Sequence, residues 1–164
     1  MFLLFSKYNN IIKTVTISFI LIVAQSYLPT IKISNSLLLY SDLLLLYLTF
    51  LVLNEKLYVI IIFAFFIGVF QDLIIQNDTV GLNAFLKVLA IYFISYLNKV
   101  KSLWSITFKL IYLLSIYFFH YFIYHSIFIN QMTLGLTIFI FLESILNVFL
   151  FIIVDKVIHR SSSI

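Results

Sequence analysis

Long apolar runs alternate along the chain with short polar breaks. Runs of roughly 20 residues match the hydrocarbon thickness of a bilayer when wound as helices. Inside lipid they have to be helical, because no water is there to satisfy open backbone amides and carbonyls. Six such runs can be marked. The first, residues 11–28, stops at Pro29, Thr30 and Lys32; the second, 36–53, stops at Asn54, Glu55 and Lys56. The third covers 57–75 and ends before Gln76, Asn77 and Asp78, and the fourth covers 80–97 and meets Asn98, Lys99 and Lys101. The fifth covers 107–129, and a break at Asn130 and Gln131 leads to the sixth, 134–154, beyond which Asp155, Lys156, His159 and Arg160 close the chain in water. The pattern predicts an all-α integral membrane protein, a single bundle of about six transmembrane helices over residues 1–164, with no second domain. Met1 to Phe5 is too short to span and reads as an interfacial segment.

Composition removes the alternative of a water-soluble fold. The 164 residues are 64% hydrophobic and 10% charged, with a mean hydropathy of +1.19, more apolar surface than a soluble domain hides. Aromatics reach 19% against three Gly and one Pro, so large side chains must fill the interior. The net charge of +4 does not point to nucleic acid, because the bases are scattered singly instead of forming a patch. They do set an orientation by the positive-inside rule. With the N-terminus in the cytoplasm, that side receives Lys7, Lys13, Lys56, Lys99, Lys101, Lys156 and Arg160, and the other side Lys32 alone. Lys109 can snorkel to the same inner surface beside Trp104. Both ends are therefore expected in the cytoplasm. Lys7 and Lys13 before an apolar run, with Ala24, Gln25 and Ser26 as a small-x-small triplet, fit a secretory signal in form; a retained signal anchor has the same pattern and is the expected reading.

Ionisable groups at membrane depth cost on the order of 2.5–3.5 kcal/mol each, so those inside the runs need a partner or a task. Asp42 lies about 9 Å below the outer end of the second run and Lys87 about 10 Å below that of the fourth, at 1.5 Å per residue. Asp72 falls on the outermost turn of the third, within reach of water. The common depth allows an Asp42–Lys87 ion pair or a cluster with Asp72, with Asn83 nearby; such a group either fixes helix register or lines a site for a ligand or partner. His120 and Glu143 fall about 12–15 Å below the outer surface on adjacent runs and form a candidate interhelical pair, structural or proton-relaying, with Asn147 one turn on as further glue. No catalytic apparatus is legible: there is no G-x-S-x-G elbow, no H-E-x-x-H pair and no Gly-rich phosphate loop. The chain has no Cys. His120 and His125 are about 500° apart on one helix and do not share a face for a metal. Asp42 and Asp72 lack the G-x-G-D type of setting of an aspartyl protease pair. No enzyme, metal or cofactor is expected.

The stretch from Ser41 to Tyr96 resembles the rod shape-determining MreD family, small components of the bacterial wall-elongation machinery. Asp42 opens the run DLLLLYLTFLVL; Phe65, Phe66, Gly68, Asp72 and Leu73 form a G-x-x-x-D-L signature; Gly81, Leu82, Asn83 and Ala84 resemble the family's L-G-x-x-A start of the fourth helix, with Tyr92 and Tyr96 at its far end. Ser41 replaces the Pro usual before the acidic residue, and Gln76, Asn77, Asp78 and Thr79 replace a Ser-Gly element. The resemblance implies a fold similar to the substrate-binding S-components of energy-coupling-factor transporters. It implies a non-catalytic scaffold in the inner membrane that binds an MreC-like protein and, through it, a RodA-type polymerase, a class B penicillin-binding protein and MreB filaments. The other reading, a vitamin-type binding subunit of a transporter, would place its ligand in an outer pocket lined by Asp42, Asp72, Asn83 and Lys87.

Overall fold

A computed structural model describes residues 2–27, 31–34, 37–39, 41–75, 80–100, 103–128 and 133–161. Several predicted breaks (Pro29, Thr30, Gln76, Asn77, Asp78, Lys101, Asn130 and Gln131) lie outside them. The elements are α1 Phe2–Tyr27, β1 Ile31–Ser34, β2 Leu37–Leu39, α2 Leu43–Asn54, α3 Leu57–Ile75, α4 Leu82–Ile94, the single turn α5 Tyr96–Lys99, α6 Ile106–Phe128 and α7 Leu134–Ser161.

The apolar runs become helices, with three departures. The segment Phe2–Tyr27 is one continuous helix, so the expected separate interfacial piece at the start is part of α1. The second run does not begin at Ser36. Ile31–Ser34 and Leu37–Leu39 pair antiparallel, Ile31 opposite Leu39 and Lys32 opposite Leu38, and the helix starts only at Leu43. The alternation Ile31, Lys32, Ile33, Ser34 has the period of a strand, and Asp42 is a good helix cap; together they defeat the apolar signal of Leu37–Leu39. The fourth run, expected as 80–97, is broken at Ser95 into α4 and α5. Among the described residues three helices have windows long and apolar enough to cross a membrane: Leu57–Ile74, Ile106–Ile127 and Leu134–Val157. The 12 residues of α2 extend only about 18 Å.

Polarity is distributed inside out. Phe66, Phe85, Tyr92, Phe119 and Phe149 point outward, each more than half exposed, while Asp42, Asp72, Lys87, Glu143 and Asn147 are buried. That arrangement suits hydrocarbon outside the bundle and costs heavily in water. α2 is apolar nearly all round and runs through the middle, with Leu44, Leu45, Leu48 and Val52 at 0% exposure. It meets α3 Ile60 and Ala64, α4 Ala90, Ile91 and Ile94, α6 Leu113 and Tyr117, and α7 Ile140 in one apolar cluster. α3 and α4 pack most intimately. Gly68 permits it, since a Cβ there would lie 2.5 Å from Ala84 Cα.

Candidate functional site

The N-terminus of α2 ends inside the bundle, and the polar side chains converge on it. Asp42 is its N-cap: Oδ1 accepts the Leu45 amide at 2.9 Å. A helix start leaves amides without intrahelical partners, and a buried start has no water to satisfy them. The Leu43 amide turns back to the Ser41 carbonyl at 3.1 Å, and the Asp42 amide donates to Tyr121 Oη at 3.2 Å. The second carboxylate oxygen, Oδ2, takes the Lys87 ammonium of α4 in a direct ion pair. His120 Nε2 stands 3.8 Å from the same oxygen, too far for a hydrogen bond and close enough to feel its charge. Asn147 on α7 donates to Tyr121 Oη, and its Oδ1 accepts from Ser41 Oγ at 2.8 Å. Asp42, through its carboxylate and its amide, together with Tyr121 and Asn147, thus joins the hairpin exit, α2, α4, α6 and α7. One to two turns along α2, Thr49 Oγ1 donates to the Leu45 carbonyl at 2.9 Å and so receives the Tyr117 hydroxyl proton at 3.0 Å.

The sequence-predicted residues separate into distinct places. Asp42 and Lys87 meet; Asp72 does not join them. It is fully buried instead of reaching water, and its Oδ2 accepts the Gly81 amide at 2.8 Å. Gly81, the N-cap of α4, has φ +99°, a left-handed conformation that glycine adopts without a Cβ penalty. Gly68 and Asp72 on α3 therefore answer Ala84 and Gly81 on α4, and the resemblance signature maps onto one tight helical hairpin. Asn83 is buried beside Ala84 on the same helix.

The expected pairing of His120 with Glu143 is corrected. Glu143 Oε2 lies 2.9 Å from Nε2 of His125, and His120 faces Asp42. One turn along α6 from Tyr121 is His125, and one turn back along α7 from Asn147 is Glu143; the Tyr121–Asn147 contact sets the antiparallel register that makes His125 the partner. His120 sits on the neighbouring ridge of α6, which turns toward α2 and α4.

Tyr117, Tyr121 and Thr49 have no sequence signal of their own, and Ser41 stands out only as the replacement of a Pro before Asp42. The stripe Tyr117, Tyr121, His125 at four-residue spacing was the available signal, but among 11 Tyr and 19 Phe it does not stand out. Chemically the network holds charge and register. Asp42, Lys87, Tyr121, Asn147 and Ser41 are spent on one another, whereas His120 also lines a cavity of about 420 Å³ between α4 and α6; neither that cavity nor one of about 430 Å³ at the opposite end of α2 includes Asp42, Asp72, Asn83 or Lys87. No group of three or more potential metal ligands occurs among the described residues.

Compared with known proteins, the chain matches the family model described as rod shape-determining protein MreD over residues 7–160, nearly its whole length. No curated protein and no solved structure matches it.

Proposed function

The chain belongs to the rod shape-determining MreD family, and on that premise we propose that it is a non-catalytic, multi-pass scaffold of the bacterial inner membrane. It orders the wall-elongation machinery by binding an MreC-like membrane protein, and through it a RodA-type polymerase, a class B penicillin-binding protein and MreB filaments. The observation that carries this reading is the family match together with where the polarity goes. Inside the bundle Asp42 pairs with Lys87, Glu143 with His125, and Asp72 with the Gly81 amide, contacts that hold helices together, and the outer faces are large apolar side chains suited to neighbouring helices and lipid. In this reading the chain crosses the membrane about six times with both ends in the cytoplasm, an orientation that puts Lys7, Lys13, Lys56, Lys99, Lys101, Lys156 and Arg160 on the inner side and Lys32 alone on the outer. The short α2 then reaches the outer surface through the β1–β2 hairpin, and the fold is similar to that of a transporter S-component.

The competing reading, a vitamin-binding subunit, needs an outer pocket at Asp42, Asp72, Asn83 and Lys87; the burial of all four, the Asp42–Lys87 pair and the bond of Asp72 to the Gly81 amide speak against it. Depletion in a rod-shaped host tests the scaffold: cells are expected to round up and then lyse as lateral wall incorporation falls. The MreC-like protein should co-purify from detergent-solubilised membranes. Unchanged shape and wall incorporation after clean depletion would refute the proposal.

A further inference from the structure

We propose that the cleft between α4 and α6 seats one membrane-crossing helix of a partner protein, packed on Ala90 and Ser115 and hydrogen-bonded at His120. The inference rests on the scaffold reading and deepens it, since on that reading the helix belongs to the MreC-like protein. The cleft has a volume of about 420 Å³. Along α6 it runs from Tyr112 to Ile123, about 16 Å or three helical turns. Each wall carries one small side chain, Ala90 on α4 and Ser115 on α6, and small residues are what let helices approach closely in lipid. Phe93 and Phe119, 47% and 61% exposed, line the same cleft and open it to the outside of the bundle.

Polarity and depth select a helix over a lipid. The two hydroxyls of the lining are spent within the chain: Ser115 Oγ donates to the Ile111 carbonyl and Tyr112 Oη to the Phe93 carbonyl, each at 3.0 Å. His120 is not. Its Nε2 stands 3.8 Å from Asp42 Oδ2, beyond hydrogen-bond range, and the Leu86 backbone lies alongside the ring. Its buried Nδ1 has no hydrogen-bond partner among the described residues, and an unmet polar atom away from water is costly. His120 also lies about 10 Å or more from either end of the membrane-capable segment Ile106–Ile127. A phospholipid has only acyl chain at that depth, its polar head staying at the surface. A helix brings Ser, Thr, Asn or Gln to mid-membrane, where such side chains bond across helices. A turn of the imidazole about its broad second torsion presents Nδ1 to one of them.

The test is photocrosslinking of the full chain in cell membranes. Benzoylphenylalanine is placed at Phe119 or Phe93 on the cleft, or at Phe66 or Phe149, exposed rings that do not line it, and the MreC-like protein is detected by an epitope tag. The mixed product is expected from Phe119 and Phe93 and is expected to be lost at Phe66 and Phe149. Ser115→Leu fills the cleft from an exposed position and should cut co-purification about tenfold. His120→Leu should cut it roughly threefold, the worth of one interhelical hydrogen bond in lipid, and His120→Gln, whose amide can still bond, should keep most of it. Intact co-purification with no mixed product from the cleft would overturn the docking and leave the scaffold standing. No mixed product at any position, with no co-purification, would bring down both. A cleft product made only of two copies of this chain, or Ser115→Leu without effect, would also overturn the docking. Crosslinking at Phe119 exchanges one exposed ring for another and alters no buried side chain, so it decides even where a variant fails to fold.

Discussion

Lys87→Met separates the two things that the Asp42 carboxylate does. The Lys87 side chain is wholly buried and its ammonium sits on Oδ2, while Oδ1 caps α2. Removing the ammonium leaves a carboxylate at 4% exposure with a helix amide and, at 3.8 Å, His120 Nε2. Stranding one partner of a buried pair costs about 3–5 kcal/mol. Asp42→Asn alone should cost a similar amount, because it strands the lysine. Combined, the changes remove both charges: Met replaces most of the lysine stem, and Asn still caps the helix. The double variant should therefore lose only about 1 kcal/mol, a coupling of several kcal/mol in the double-mutant cycle. Thermal unfolding in a mild detergent, read by light scattering or by residual folded fraction, gives the four corners of the cycle. His120→Gln should be nearly silent in the wild type and costly beside Lys87→Met, where the imidazole is the nearest side chain left facing that carboxylate oxygen. Additive losses for Asp42→Asn and Lys87→Met would refute the pairing. Co-purification with the MreC-like protein, scored separately, would expose a partner-binding role if the double variant folds but no longer captures it.

Gly68→Ala should cost about 2–3 kcal/mol in the same assay, and Ala84→Gly should not rescue it, because the nearest atom to the new Cβ is the Ala84 Cα at 2.5 Å and the next the Ala84 backbone nitrogen at 3.0 Å; rescue would show that the backbone contact is not what matters. Gly81→Ala meets nothing within 4 Å but takes on the strain of φ +99°, about 1–2 kcal/mol, with Gly81→Asn milder; equal stability of all three would argue against the left-handed cap. Coupling is expected between His125→Phe and Glu143→Gln, and near-additivity between His120→Phe and Glu143→Gln; the reverse would shift the α6–α7 register. Reporter fusions after Lys56, Lys101 and Arg160 should read cytoplasmic and those at Lys32, Asp78 and Asn130 external, and a cytoplasmic signal at Asp78 would sink the six crossings.

Hydropathy made α3, α6 and α7 legible, because a long apolar run in lipid has one backbone solution. Depth counting also found Asp42 and Lys87, since helices of equal rise put equally deep residues side by side. It could not find azimuth. His120 and His125 differ by little more than one turn in depth, so depth alone did not choose between them for Glu143; the Tyr121–Asn147 contact did, and that is a property of two helices packed together. Asp72 failed for a related reason. Its place on the last turn of α3 suggested water, but the left-handed turn at Gly81 folds α4 back and brings the Gly81 amide onto the carboxylate. The second run was misjudged because leucines are read as helix, whereas Leu37–Leu39 is held by pairing across the hairpin, a long-range fact relative to any window of hydropathy.

The short α2 gives these observations a common cause. A helix that begins within the bundle exposes the positive end of its dipole and several free amides where water cannot reach them. Asp42 answers both, as cap and as counter-charge, but a buried carboxylate needs a cation of its own, and Lys87 supplies it. Tyr121 takes the remaining Asp42 amide, and Asn147 with Ser41 holds the tyrosine and the hairpin exit in place. Each member of the network is thus required by the one before it, starting from a helix about 18 Å long set among longer ones. A cap at a water-exposed helix start is worth about 1 kcal/mol because water is a fair substitute. Here there is no water to substitute, which makes a capping side chain at position 42 a condition of the fold, and a carboxylate in that role needs Lys87 beside it.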